Sequence, residues 1–554
     1  MKYGLLCIAG AACLFAFLSS ARHGSIDAVT LARYKAGMLQ NVRYCFVPAY
    51  VPENFLVSDI SQKTGIGRVD YPISTGSSEA QDYFNQGMAF FYNFEYVQAA
   101  RSFHKARRLD STAAMICVGL SGCYDALSDS NTARNYAAEA VMKSNSGTQL
   151  EKDIVRIYNR YIQPAYDSAA IDQAREYVLA GIDSMKMNYA NDANAWLFIA
   201  EMRNAFRRNN EKRRYCDSLV VVYLKKALQL KPDHFGAVHL LVHGNESLSR
   251  FTDALQFGEQ YTKLAPEIPH AWHMYAHDLM KTGRIDEAIE KFNIAFSLEK
   301  KKYREEHMPA HYDWHHPHNL ELLAYCYQYK GQFSKAEEIF SQLDTLTAFM
   351  EDAEGYIRKG HPGFLLQNGS YDEAIRLSEK IARGKGPANQ LTGYLSTGIG
   401  YMLKKDVAAA ERASALATHV MDSLKKVMRD EGASEEQIAD GSQYFDGIQS
   451  LITIGLALQK DPLNTSLQAP IMGIQQAMLK QTGPDPWIDA LYFLQLLTNI
   501  TYSSGNMELA EGSARAMIQH DPEYGGGHLW LAKILLRQGK NEAADRERAL
   551  AKKA

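Results

Sequence analysis

The stretch Trp272–Leu298, WHMYAHDLMKTGRIDEAIEKFNIAFSL, decides the fold. Apolar residues recur at helical spacing on both sides of Gly283, the pattern of two short amphipathic helices joined by a tight turn. With Trp272 at position 4 of a 34-residue register, Leu279 falls at 11, Gly283 at 15, Ala288 at 20, Phe292 at 24 and Ala295 at 27. The register returns in Gly87, Phe90, Ala99, Phe103 and Ala106, and again in Leu320, Leu323, Ala324, Tyr327, Gly331, Ala336 and Phe340. Pro232 and Pro266 stand one period apart. Gly369 with Ala374 suggests a further copy; Gly505, Ala510 and Pro522, then Leu531, Ala532, Leu535, Gly539 and Ala544, suggest two more. Small residues let paired helices approach closely, large ones fill the space between repeats, and proline stops the second helix. One copy cannot bury its apolar face, so copies stack into a superhelix with a concave groove.

The period resembles the tetratricopeptide repeat (TPR). The expected fold is all-α: a right-handed TPR-like α-solenoid of helix–turn–helix repeats with a short extended N-terminal arm. The wider order also resembles a family of exported bacterial TPR proteins with a His-rich central region. That resemblance rests on Ala80-Gln81, Phe84-Asn85-Gln86-Gly87, Phe94 and Ala99, and on His239-Leu-Leu-Val-His243. It continues through Leu264-Ala265-Pro266, His273-Met274 with His277, and Pro317-His318-Asn319. Where the family often has Asp-Pro-x-Cys-Ala-Met and then Trp-Gly, this chain has Asp110, Ser111, Ala113, Ala114, Met115 and Val118-Gly119. The resemblance implies the fold and assigns no activity.

The rest of the 554 residues sets boundaries. Lys2, the apolar run Leu5–Leu18 and Ser19-Ser20-Ala21 form a secretory signal pattern, so residues 1–21 are expected to be removed on export. The mature chain is then periplasmic or secreted, bacterial, with no transmembrane segment. Residues 22–77 read as the arm, with room for a short strand pair in Tyr44–Phe55. Residues 78–345 read as the TPR-like domain with a His-rich groove, and 346–554 as C-terminal helical, TPR-like repeats. Gly355–Gly369 and Pro462–Pro486 are candidate breaks. With 60 Lys and Arg against 63 Asp and Glu, the net charge of −3 gives no general affinity for nucleic acid. The basic run Arg207, Arg208, Lys212, Arg213 and Arg214 reads as a solvated turn, and Gly525-Gly526-Gly527 as a loop. Cys45, Cys117, Cys123, Cys216 and Cys326 are an odd set in no C-x-x-C motif, which reads as buried free thiols.

The chemistry gathers in histidine. Eleven of 17 His lie between His234 and His318, several times their even share. His239 and His243 fall at positions 5 and 9 of one repeat, and His273 and His277 repeat them one period later. Positions 2, 5, 9 and 12 of the first helix face the groove in this fold. An i, i+4 pair shares one helix face, so imidazoles from adjacent helices can meet at one point. Glu246, His270 and His318 occupy other groove positions, and Glu321 follows His318. An insertion, Lys300–Pro317, carries His307, His311, His315 and His316 and could fold over the groove as a lid; these four read as exposed loop residues rather than ligands.

Three readings stay open. Imidazoles at His239, His243, His270, His273, His277 and His318, with Glu246, suit a divalent transition metal: zinc, copper or iron. The same groove could instead receive a protein or peptide partner, as a scaffold or pH switch, or the histidines could be packing. A metal with an open position could make a hydrolase, with Glu246 as general base, or a redox enzyme. No H-E-x-x-H, G-x-x-x-x-G-K-[ST] or G-x-S-x-G motif is present. The binding scaffold is the leading expectation, the metal-dependent enzyme the alternative.

Overall fold

A computed structural model describes residues 51–127, 129–163, 168–205, 218–346, 358–430 and 433–552. The signal pattern, the arm before residue 51, Cys45, Cys216 and the basic run at 207–214 lie outside the described residues. The rest is all-α and TPR-like, with no strand among the described residues. The strand pair allowed for at Tyr44–Phe55 is not found in the described part, where Glu53–Leu56 forms a helical turn beside Pro52.

Successive helices pack as antiparallel pairs. They are α1 (Ser78–Tyr92) on α2 (Tyr96–Leu109), α3 (Ala114–Ala126) on α4 (Ser130–Lys143), and α5 (Gln149–Ile162) on α6 (Ser168–Asn188). Next come α7 (Ala193–Ala205) on α8 (Ser218–Leu230), α9 (Phe235–Ser247) on α10 (Phe251–Leu264), α11 (Pro269–Lys281) on α12 (Ile285–Glu306), and α13 (His315–Tyr329) on α14 (Phe333–Thr345). Then α15 (Gly360–Gln367) packs on α16 (Tyr371–Ala382), and α17 (Pro387–Leu403) on α18 (Val407–Asp430); α19 (Glu435–Lys460) and α20 (Gln468–Leu479) follow. Helices α21 (Pro484–Ser503) on α22 (Met507–His520) and α23 (Gly525–Arg537) on α24 (Asn541–Ala551) end the chain. Gly525–Gly527, expected as a loop, opens α23. A Cβ on Gly527 would lie 3.1 Å from Ile518 Cγ1, so a small residue suits the close approach to α22.

Among the described residues, eight turns inside pairs follow one rule. The second residue after the first helix is left-handed, at Gly283, Gly331, Gly369, Gly505 and Gly539, and also at Phe94, Ser249 and Lys405. In seven of these turns the next N–H returns to a carbonyl five residues back: Glu95 to Phe90, Arg250 to Asn245, Arg284 to Leu279, Gln332 to Tyr327, Ser370 to Leu365, Asp406 to Tyr401 and Lys540 to Leu535. This is a Schellman-type stop, which satisfies an orphan carbonyl at the cost of a φ that L-residues avoid. A Cβ at Gly331 would meet nothing within 4 Å, so Gly331→Ala isolates that backbone cost. We expect a loss of about 1–2 kcal/mol, read as a lower urea midpoint; an unchanged midpoint would contradict the turn argument.

The arm lies across the first helices of several repeats. Gln86 Oε1 accepts from the Lys63 N–H at 2.7 Å, Asn85 Oδ1 from Tyr71 N–H at 3.3 Å and Gln81 Oε1 from Ile73 N–H at 2.9 Å. Further on, Glu151 accepts from Ser74 N–H at 2.7 Å, Asn194 donates to the Asp70 carbonyl at 3.2 Å, and Glu267 N–H donates to the Gly65 carbonyl at 2.9 Å. The arm is therefore tied by its backbone to several repeats.

The C-terminal helices fold back onto the His-bearing repeats. Helix α21 packs against α11, α15 and α19. The Tyr492 hydroxyl donates to the Tyr325 carbonyl at 2.7 Å, and Tyr329 donates to Asp521 Oδ2 at 2.9 Å. One contiguous core runs from Val51 to Tyr524, across the boundary expected near residue 345; a second, small cluster closes the C-terminus. Among the described residues no helix is long and apolar enough to cross a membrane. Cys117, Cys123 and Cys326 are buried free thiols, as expected, and burial raises the pKa of each.

Candidate metal centre

Three first helices and one distant helix build the centre. Helix α9 carries His239, His243 and Glu246 on one face, because steps of four and three residues keep a face. Neighbouring α11 carries His270, His273 and His277; α13 opens on His315 and His316 and carries His318; α21 brings Asp485. The end of α1 reaches across to α9, where His239 Nδ1 lies 2.5 Å from the Tyr92 carbonyl.

The imidazoles form two groups, His239 with His243 and His270, and His273 with His277 and His318. Within each group the ligand atoms lie within 4.8 Å of one another. In the first, His239 Nε2 is 3.1 Å from His243 Nε2 and 3.0 Å from His270 Nε2. The partners of the other nitrogens assign the tautomers. The Tyr92 carbonyl can only accept, so His239 Nδ1 carries the proton and its Nε2 a lone pair. Glu246 Oε2, 3.5 Å from His243 Nδ1, favours the same tautomer there. Two lone pairs then face each other at 3.1 Å. Ligands 2.0–2.1 Å from a shared ion sit about 3.0–3.4 Å apart, which is the spacing here.

The second group is built differently, with a carboxylate against each nitrogen of His277. His273 Nδ1 lies 3.2 Å from Asn319 Oδ1 and donates to it, leaving Nε2 buried without a protein hydrogen-bond partner. His277 Nδ1 is 2.9 Å from Glu246 Oε1, and its Nε2 is 2.7 Å from Asp485 Oδ1. The same Asp485 oxygen is 3.7 Å from His318 Nε2. Glu246 thus accepts from one histidine of each group and orients both. Burial works against its ionisation, but the adjoining His277 and His243 hold its pKa below the ordinary carboxylate value. Buried Asp278 goes the other way: burial, then the Glu246 charge, keep its pKa well up.

The surroundings are dry. His239 and His273 are 0 % exposed, and all six histidines are buried. Burial first, then neighbouring imidazoles, pushes His239, His270 and His273 well below the usual histidine pKa. Burial also lowers His318, to about 4, against the opposing pull of Asp485. Neutral imidazole is the form that binds metal. Phe94 covers the first group, its ring 4.6, 5.6 and 5.5 Å from those of His239, His243 and His270. Phe94 does so from the left-handed turn position (φ 59°) that glycine holds in five other repeats. Ser249 and Lys405 hold the same left-handed position in their own turns.

The sequence expectation is thus revised in three ways. The four paired histidines do not meet at one point; they divide between two groups, which His270 and His318 complete. Glu246 holds Nδ1 atoms rather than a ligand position, so the general-base role gives way to orientation. The insertion is not a loose lid: it extends α12 to Glu306, and His315 and His316 begin α13 as buried residues. Glu321 is buried, its pKa raised to about 7 by burial, and accepts from Tyr325 at 3.3 Å. Nothing in the sequence marks Asp485, 208 residues beyond His277, or the Tyr92 carbonyl.

No family model matches the chain, and no curated protein does. Similar solved structures include the MamA protein (15% identity, 41% of this chain and 94% of that one, TM-score 0.19). Others are the APC/C hetero-tetramer Cut9-Hcn1 (14% identity, 86% and 87%, TM-score 0.32) and an IFIT1 monomeric mutant with Gppp-AAAA (10% identity, 96% and 96%, TM-score 0.31). At these scores the likenesses add nothing to what the helix pairing itself displays.

Proposed function

We propose that this protein binds divalent first-row transition metal ions, zinc, copper or iron, in a buried polyhistidine centre. One observation carries the reading: Nε2 of His239 lies 3.1 Å from Nε2 of His243 and 3.0 Å from Nε2 of His270, and the ligand atoms of the three rings lie within 4.8 Å of one another in a buried site. The second group would hold an ion through His273, His277 and His318, with Asp485 as an oxygen donor. Glu246, Asn319 and the Tyr92 carbonyl orient the rings from behind, as outer partners of metal-binding histidines commonly do. Imidazole-rich donors suit these ions and not calcium or magnesium. The Lys2–Ala21 pattern supports export, which would place the centre outside the cytoplasm. A protein partner, expected of a helical-repeat surface, would meet another face, because the imidazoles are closed in.

Elemental analysis of the purified protein tests this, with His239→Ala and His273→Ala measured singly and together. We expect one ion per triad in the wild type, loss of one in each single variant and of both in the double, with circular dichroism unchanged. A folded wild type that takes up no metal after exposure to zinc, copper and iron would end the proposal.

A further inference from the structure

One buried imidazole lies between the two groups and belongs to neither. His315, 4 % exposed, has its ring 4.8 Å from that of His270 in the first group and 4.2 Å from that of His273 in the second. Its Nδ1 lies 3.2 Å from Oε1 of Glu299, a carboxylate on α12 that is 0 % exposed. A carboxylate accepts, so Nδ1 carries the proton and Nε2 keeps its lone pair. That Nε2 is buried with no protein hydrogen-bond partner, like Nε2 of His273 and of His318. Leaving such an atom unmet is costly, and a carboxylate behind a histidine whose far nitrogen faces other imidazoles is the arrangement that prepares metal ligands.

We propose that His315 is a seventh metal-binding imidazole, aimed by Glu299 and shared between the two triads, so that they act as one centre. This rests on the metal reading above. With ions bound, His315 would offer Nε2 as a ligand to either triad, its Nδ1 proton directed at Glu299. Glu299 is a positioning residue. Its other oxygen takes His316 Nδ1 at 2.6 Å, but the His316 ring packs against Phe296 and Tyr303 instead of the triads. His316 is therefore the internal control.

Zinc affinity by chelator competition and the zinc-induced rise in Tm are compared for wild type, His315→Gln, Glu299→Gln and His316→Gln. Expected are zinc binding weakened at least about tenfold in His315→Gln and about 10–100-fold in Glu299→Gln, with a smaller zinc-induced rise in Tm, and wild-type affinity in His316→Gln. If His315→Gln lowers Tm equally with and without zinc and leaves zinc affinity unchanged, His315 is a packing residue and the proposal falls while the triads stand. If His315→Gln does not fold, unchanged affinity in Glu299→Gln overturns it equally. A wild type that binds no zinc instead removes the triads themselves.

Discussion

Truncating Phe103 to alanine is expected to cost about 3–5 kcal/mol, a large part of the stability of a protein domain. Phe103 is 0 % exposed, and its ring lies between two helices that both carry glycine against it. A Cβ on Gly87 of α1 would come within 2.5 Å of Phe103 Cε1, and one on Gly119 of α3 within 2.6 Å of Cζ. The ring therefore fills the space inside its own repeat and the joint to the next, while Phe84 meets it at 5.6 Å. Removing it leaves a cavity that two glycine-faced helices cannot close with side chains of their own. Gly87→Val and Gly119→Val should harm the same joint by overpacking, by about 1–3 kcal/mol. Chemical unfolding of the three variants reads this. A loss under about 1 kcal/mol for Phe103→Ala would show that the joint relaxes, and that the register residues do not carry the stacking.

The same residues explain what the sequence made legible. Gly87, Phe103, Gly283 and Gly331 occupy positions where local geometry dictates residue type, so the period was visible without any knowledge of contacts. The His pairs were visible for the same reason, since each lies on one helix face. Their division into two groups was not, because it depends on which elements the closed superhelix brings together. Tyr92 meets His239 across 147 residues, and Asp485 meets His277 across 208. Gln81, Asn85 and Gln86 stood out as a motif, yet their work, holding the backbone of the arm, needs partners at Lys63, Tyr71 and Ile73 that carry no pattern. Phe94, in a turn position where five other repeats have glycine, covers the first group, a role that the sequence did not reveal. His315 and His316 misled in the opposite sense. A loop-like insertion hid the start of a helix, because Glu299, their buried partner, lies 16 and 17 residues earlier on the preceding helix.

Burial of so many neutral histidines predicts acid sensitivity of the metal-free protein, and two opposing sets of groups decide its size. Burial depresses His104, His234 and His318 to about 4, and holds His239, His270 and His273 well below the ordinary value. The unfolded chain takes up these protons from about pH 6.5 downwards and the folded chain does not, so their stabilisation is complete above 6.5 and falls as pH drops towards 4. Buried carboxyls act against this: Glu95 and Glu321 are raised to about 7, Glu201 to about 8, and Asp278 well above its usual value, all by burial first. In the same window the folded state binds their protons more tightly than the unfolded state. The histidines held below their ordinary value outnumber the carboxyls held above theirs, so acidification brings a net loss of stability. Above pH 7 the histidine contribution is constant while Glu201, raised to about 8, and Asp278, raised well above its ordinary value, still ionise at a cost, so stability peaks near neutrality. Urea midpoints of the metal-free protein from pH 8 to 4 should trace this maximum, and a flat profile below 6.5 would refute it. Zinc binds the neutral rings and competes with protons, so its addition should carry the acid limb to lower pH in the wild type but not in the His239→Ala/His273→Ala double variant. That second comparison separates imidazoles that merely resist protonation from imidazoles that hold an ion.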